Sequence, residues 1–240
     1  ANSRHNNAIF GIERKFSTQR RGEANKNLSG RIFVRGNLFD ERRDNGTSLT
    51  YNKTYFRQAA GGADVFHNTT GEFRFRAFIE SQVYDQTFSA VSADRNSETL
   101  SRLQRVPSQA AGASVFWTKS IGSHTLSASF ETREVHGFSD EVGYFSGRPT
   151  SVSGPGGSER TNAVFIQDVW AVTKKLSLNL GARVDAWKNF DSHSATRSLT
   201  TGAASDTLFA DRSETAFSPR VAAIYQINEN ASVYGAYTRS

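Results

Sequence analysis

Apolar and polar residues alternate with a period of two over most of the chain. In 176–186 the even positions are Leu176, Leu178, Leu180, Ala182, Val184 and Ala186, while the odd ones are Ser177, Asn179, Gly181, Arg183 and Asp185. Successive side chains of a strand point to opposite faces, so this segment predicts a β-strand between an apolar and a polar medium. In 124–134, Leu126, Ala128 and Phe130 alternate with Ser127, Ser129, Glu131 and Arg133. In 72–80, Phe73, Phe75, Ala77 and Ile79 alternate with Glu72, Arg74, Arg76 and Glu80, Phe78 being the exception. In 31–38, Ile32, Val34 and Leu38 alternate with Arg31, Arg35 and Asn37. Weaker versions run through 9–19, 50–65, 109–119, 160–172, 215–227 and 231–239. The expectation is an all-β, antiparallel up-and-down meander of about ten strands, since no segment shows a capped 3.6-residue apolar period.

The connections separate two all-β architectures. Tight turns are expected at 120–123, 173–175 and 228–230, and long polar links at 89–107, 136–159 and 189–213. In a meander every second link lies at the same end of the sheet, so one end is tight and the other carries long excursions. A soluble sandwich usually has short turns at both ends. A transmembrane barrel has short turns on one side, long loops on the other, and tilted strands of about 9–11 residues across the bilayer. Ordinary globular strands are nearer five or six residues. Phe116, Trp117, Trp170, Trp187, Phe190 and Tyr225 stand near strand ends, as interfacial aromatic belts require. Cross-strand packing in a soluble sheet is the alternative account of them.

Composition removes several classes. The 240 residues include no Cys, which excludes a disulfide framework, Cys-based zinc sites and a Cys nucleophile. No apolar run approaches the roughly 20 residues of a membrane helix. Met is also absent and Ala1-Asn2-Ser3 opens no leader, so the expectation is a processed start or an internal part of a longer chain. The net charge of +6 is uneven: residues 1–110 hold 17 Lys/Arg and 11 Asp/Glu, whereas 111–240 hold 12 of each. These basic residues are interspersed with acids and form no block, so nucleic-acid binding is not expected.

An ordered set of segments resembles one family. Phe165-Ile166-Gln167-Asp168-Val169-Trp170, then the Gly181-x-Arg183-x-Asp185 strand, then Phe217-Ser218-Pro219-Arg220 and the Tyr-rich 231–240 are similar to the barrel of TonB-dependent outer-membrane receptors. The best-matching part is 161–240. The resemblance implies a 22-stranded barrel in the outer membrane of a Gram-negative bacterium, plugged by its own N-terminal domain. It also implies coupling through that plug to the TonB energy-coupling protein, and import of a bulky small-molecule or oligosaccharide ligand such as an iron chelate, cobalamin or a glycan. Outer-membrane lipid and lipopolysaccharide would surround it. Residues 1–240 are then expected to be a partial barrel, with neither a plug domain nor a C-terminal closing strand. A passive porin, a barrel hydrolase and a soluble β-rich adhesin remain as other readings.

Candidate sites follow from the pattern. Ser127, Ser129, Glu131, Arg133, Ser177, Asn179, Arg183 and Asp185 are expected to face the lumen, as a polar wall or as ordinary solvated charge pairs. His136, Asp140, Glu141 and Tyr144 are outer-loop ligand candidates, because loops on rigid scaffolds carry much binding. Asp168 shares its face with Ile166 and Trp170, so its orientation is open between a bulge and an interfacial position. No cofactor and no metal site is expected: 136–159 has one His and no ligand-like spacing. Gly154-Pro155-Gly156-Gly157 lacks a Gly-Lys-Ser/Thr ending and is not a phosphate loop. No Gly-x-Ser-x-Gly elbow occurs, and no catalytic set is expected; His136 with Asp140, or His193 with Asp191, are the pairs that a hydrolase would use.

Overall fold

The computed structural model describes residues 2–19 and 27–239. Its strands are β1 (Ser3–Gln19), β2 (Asn27–Asp44), β3 (Tyr51–His67), β4 (Gly71–Val91), β5 (Glu98–Ile121), β6 (His124–Phe138), β7 (Asp140–Phe145), β8 (Arg148–Ala171), β9 (Leu176–Ser198), β10 (Ala204–Leu208), β11 (Arg212–Asn228) and β12 (Ala231–Thr238). Ten follow one another as β1-β2-β3-β4-β5-β6-β8-β9-β11-β12 in a single antiparallel meander. The short β7 pairs with β5 and β8, and β10 with β9. The all-β meander expected from the alternation is the observed fold.

The three long links are corrected. Most of 89–107, 136–159 and 189–213 is strand: β4 and β5 are joined only by 92–97, and β7 and β10 lie inside the other two. These stretches carry polar residues on both faces. Backbone pairing continues through them while the apolar alternation stops, so periodicity marked only part of each strand. Strands consequently reach 24 residues in β5 and β8, far beyond the expected 9–11. The opposite end is tight as expected, with 122–123, 172–175 and 229–230 as links. The 20–26 link between β1 and β2 and the final Ser240 lie outside the described residues.

Directly paired residues share a face, so the register sorts the side chains. One face carries the row Ile32–Ala63–Phe75–Val115–Phe130–Val164–Val184–Phe217. The row beside it, on the other face, is Phe33–Gly62–Arg76–Ser114–Glu131–Ala163–Asp185–Ala216. No second layer of described residues covers the apolar face. Ile12, Ile166 and Val164 are 75%, 57% and 51% exposed, and the only buried hydrophobic residues among those described are Ala110 and Ala163. Burial of apolar surface is the dominant favourable contribution to folding in water, and the described sheet makes almost none of it.

Candidate functional site

All eight candidates on β6 and β9 share the polar face. Ser129 pairs through Phe165 with Arg183, Glu131 through Ala163 with Asp185, and Ser127 through Gln167 with Gly181. Arg133 lies in the row of Thr161 and Trp187, while Asn179 and Ser177 pair with Val169 and Ala171. The sheet brings Glu131, Arg183 and Asp185 together. Arg183 Nη2 is 3.1 Å from Glu131 Oε2 and 2.9 Å from Asp185 Oδ1. Arg133 Nη2 reaches Glu80 Oε1 at 3.6 Å, across the small Ala110 and Gly112 of β5.

The same face continues the charge ladder where no candidate was named. Asp64 lies between two guanidinium groups, with Arg31 Nε at 2.7 Å and Arg76 Nη2 at 2.5 Å. Arg31 also meets Glu13 at 3.1 Å, and Arg74 meets Glu72 at 2.6 Å. The guanidinium groups of Arg31, Arg35 and Arg76 lie over the Phe33 ring, each 5.0–5.5 Å from its centroid. The alternation in 31–38 and 72–80 already placed these charges on one face; only the partners, distant in sequence, were hidden. Between these groups lies a cleft of about 380 Å³ lined by Arg76, Phe78, Arg133, Thr161, Glu131 and Arg183. It presents three guanidinium groups, each already ion-paired, one carboxylate and one aromatic wall, which makes a polar surface.

The four loop candidates are corrected: His136 is on β6, and Asp140, Glu141 and Tyr144 are on β7. They do not converge. His136 Nδ1 lies 2.9 Å from Ser158 Oγ, on the apolar side of the register. Glu141 is on the opposite side, where it accepts bonds from Gln104 Nε2 at 2.8 Å and Ser139 Oγ at 3.0 Å, beside Arg102. His193 Nδ1 approaches the backbone carbonyl of Asp191, not its carboxylate. Among the described residues no group of three or more His, Cys, Asp or Glu is placed to hold a metal ion.

The aromatic residues divide between faces. Trp117, Trp170, Phe190 and Tyr225 are in apolar-face rows, whereas Phe116 and Trp187 are in polar-face rows. Asp168 is on the apolar face, in the row Lys119–Leu126–Asp168–Leu180, near the tight-turn end. No bulge re-aims it. Its Oδ2 lies 2.7 Å from His124 Nδ1, and the His124 ring stacks on Trp170 at 5.3 Å.

At the other end, the 45–50 turn is tied to β4 and β5. Glu98 accepts bonds from Ser89 Oγ at 2.5 Å, Ser48 Oγ at 2.9 Å and the Leu49 N–H at 3.2 Å. These bonds, that of Ser89 foremost, hold the Glu98 carboxyl down to about 2. Thr87, buried, donates to the Leu49 carbonyl at 2.5 Å and accepts from the Tyr51 N–H at 2.8 Å.

A single antiparallel meander with one apolar and one charge-laddered face, tight at one end and extended at the other, has the pattern of a transmembrane β-barrel. The family described as TonB dependent receptor-like, beta-barrel matches residues 2–240, and the chain belongs to that family. No curated protein sequence matches it. Similar solved structures include the ferric yersiniabactin uptake receptor FyuA from Yersinia pestis, at 11% identity and a TM-score of 0.67, covering 87% of this chain and 36% of that one. The ferric-catecholate import receptor Fiu from E. coli K12, in its open form, shares 15% identity at a TM-score of 0.65, covering 97% and 50%. The siderophore receptor PiuA from Acinetobacter baumannii shares 11% identity at a TM-score of 0.52, covering 98% and 46%. The chain therefore spans between a third and a half of the length of these structures.

Proposed function

We propose that this chain is part of the barrel wall of an outer-membrane receptor that imports a bulky nutrient, with a ferric siderophore as the ligand to test first. The observation that carries the reading is the coreless sheet: an uncovered apolar face opposite a ladder of compensating charges. On this reading the apolar face meets the acyl chains of phospholipid and lipopolysaccharide in a Gram-negative outer membrane. The polar face, with Ser127, Ser129, Glu131, Arg133, Ser177, Asn179, Arg183 and Asp185, lines the lumen. The tight turns are periplasmic and the long strand extensions outer.

Within the lumen, the cleft at Arg76, Arg133 and Arg183 is a contact wall for a plug domain of the same protein or for a passing anionic chelate. Energy then reaches the plug through TonB. Two of the similar structures are, by their names, receptors for ferric complexes, and a third is a siderophore receptor. The ligand assignment is tested by deleting the gene and growing the strain under iron limitation on a panel of ferric siderophores. Loss of growth on one chelate, restored by the full gene, supports import of that class. Unimpaired growth on every chelate, with lost growth on cobalamin or a glycan, moves the substrate to that class.

A further inference from the structure

Asp168 is the one carboxylate on the apolar face between the tight turns and the Glu134–Arg160 row, among the described residues. A lone acid on a lipid-facing wall is costly unless something balances it, though less so near an interface. His124 Nδ1 is within hydrogen-bond reach of its Oδ2, at 2.7 Å, and the two side chains are 40% and 25% exposed. Lys119 stands in the same row as Asp168, two strands away, which strand spacing places at about 10 Å. Its Nζ and the Trp117 indole N–H both donate to the 68–70 turn, to Thr69 and Thr70 respectively, which fixes them at the rim. The rim therefore presents a fixed cation, an imidazole and a carboxylate side by side.

Directly beyond these groups, toward the middle of the sheet, lies a groove of about 490 Å³. Its walls are Trp117, Leu126, Ile166 and Leu180, and its floor is the small Ala128 and Ala182. Apolar atoms dominate it. Small residues set between large ones on a strand surface leave a furrow of acyl-chain width and chemistry.

We propose that this groove and rim form a binding site for a zwitterionic aminophospholipid. One acyl chain lies in the furrow, the phosphate faces Lys119 and His124, and the primary ammonium is received by Asp168. The charge set selects the headgroup. A purely anionic headgroup meets repulsion from Asp168, and a choline headgroup offers that carboxylate no N–H donor, whereas a primary ammonium offers three. The inference rests on the membrane reading above and adds to it a lipid class and a leaflet, the one at the tight turns.

The test uses the full receptor containing this chain, in nanodiscs of phosphatidylcholine, with Trp187→Phe to leave the groove-side indoles Trp117 and Trp170 in this part of the wall. Lipids with brominated acyl chains are added at equal low fractions as phosphatidylethanolamine, phosphatidylglycerol or phosphatidylcholine, and the part of the fluorescence lost with Trp117→Phe and Trp170→Phe is followed. Quenching by the ethanolamine lipid should exceed the others several-fold, and Asp168→Asn should abolish the excess. Competition by unlabelled phosphatidylethanolamine on the unsubstituted protein gives the same reading should that variant fail to fold. Equal quenching by all three lipids overturns the site while leaving the face in contact with lipid. Preference for the glycerol lipid overturns the role of Asp168. No quenching by any lipid overturns the membrane reading itself.

Discussion

Arg183 bonds Glu131 at 3.1 Å although β8 runs between their strands. The guanidinium spans that strand because the residue beneath is Ala163, which is 3% exposed. A larger side chain there blocks the crossing. Ala163→Leu is expected to cost about 1–3 kcal/mol through overpacking. Glu131→Gln alone should cost only about 0.2–1 kcal/mol, since both partners are substantially exposed. In the Ala163→Leu background the second change should cost nothing further. Equilibrium unfolding of the full protein from lipid vesicles, arranged as a double-mutant cycle, measures this coupling; additive effects would mean that Ala163 does not carry the bridge.

Ile166 and Gln167 are adjacent and point to opposite faces. On the proposed membrane reading Ile166→Arg, one row inward of Asp168, places a charge against acyl chains at a cost of about 1–3 kcal/mol, between the interfacial and midplane values. Gln167→Arg adds a charge to a wall already rich in ion pairs and should stay within about 0.5 kcal/mol. The fraction of folded, heat-modifiable protein after refolding into vesicles compares them. Equal costs would contradict the assignment of the two faces.

The fold was legible where the two media differ. Leu176, Leu178 and Leu180 against Ser177, Asn179 and Gly181 mark a strand without any knowledge of its neighbours. Past Trp187 that contrast ends, and β9 nonetheless continues to Ser198. Alternation thus reports the change of medium, not the hydrogen-bonded strand, which is why His136, Glu141 and Tyr144 read as loop residues. The charged residues of 31–38, 72–80, 124–133 and 176–186 were legible as one face, yet their pairs were not. Asp64 reaches Arg31 and Arg76 only once the β2–β3–β4 register is set, and no local spacing encodes that register. Trp187 misled for a related reason: its position at a strand end suggested a belt, while its odd number placed it with Arg133 and Thr161.

Gly62 is one of the places where the sheet cannot accept a side chain. A Cβ there would stand 2.4 Å from the Phe75 carbonyl oxygen and 3.0 Å from the Phe33 ring, which lies over it. The obstacle is backbone, so it does not move aside cheaply. Gly62→Ala should destabilise by about 1–3 kcal/mol. Gly154→Ala, in a strand inside the sheet and with nothing within 4 Å of the added Cβ, should change stability by no more than about 0.5 kcal/mol. Denaturant midpoints of the two variants decide this, and equal midpoints would show that the close approach is not maintained.

Glu98 makes the outer turn acid-sensitive. Its carboxyl is depressed from 4.5 to about 2 by the Ser89 hydroxyl first, with further bonds from the 45–50 turn. A depressed folded value means that the carboxylate contributes its stabilisation fully above about pH 4.5. The contribution fades as pH falls through the window between 4.5 and about 2, where the unfolded turn takes up a proton more readily. The group is solvent-facing, so the effect is local to the turn. Amide exchange at 45–50 should therefore accelerate, relative to the intrinsic rate, between pH 5 and pH 3. Glu98→Gln should show the fast exchange already at pH 5 and lose the pH dependence, while Thr87, whose hydroxyl does not titrate, should hold the Tyr51 amide equally in both proteins. Unchanged protection in Glu98→Gln at pH 5 would mean that the Thr87 bonds alone keep the turn on β4.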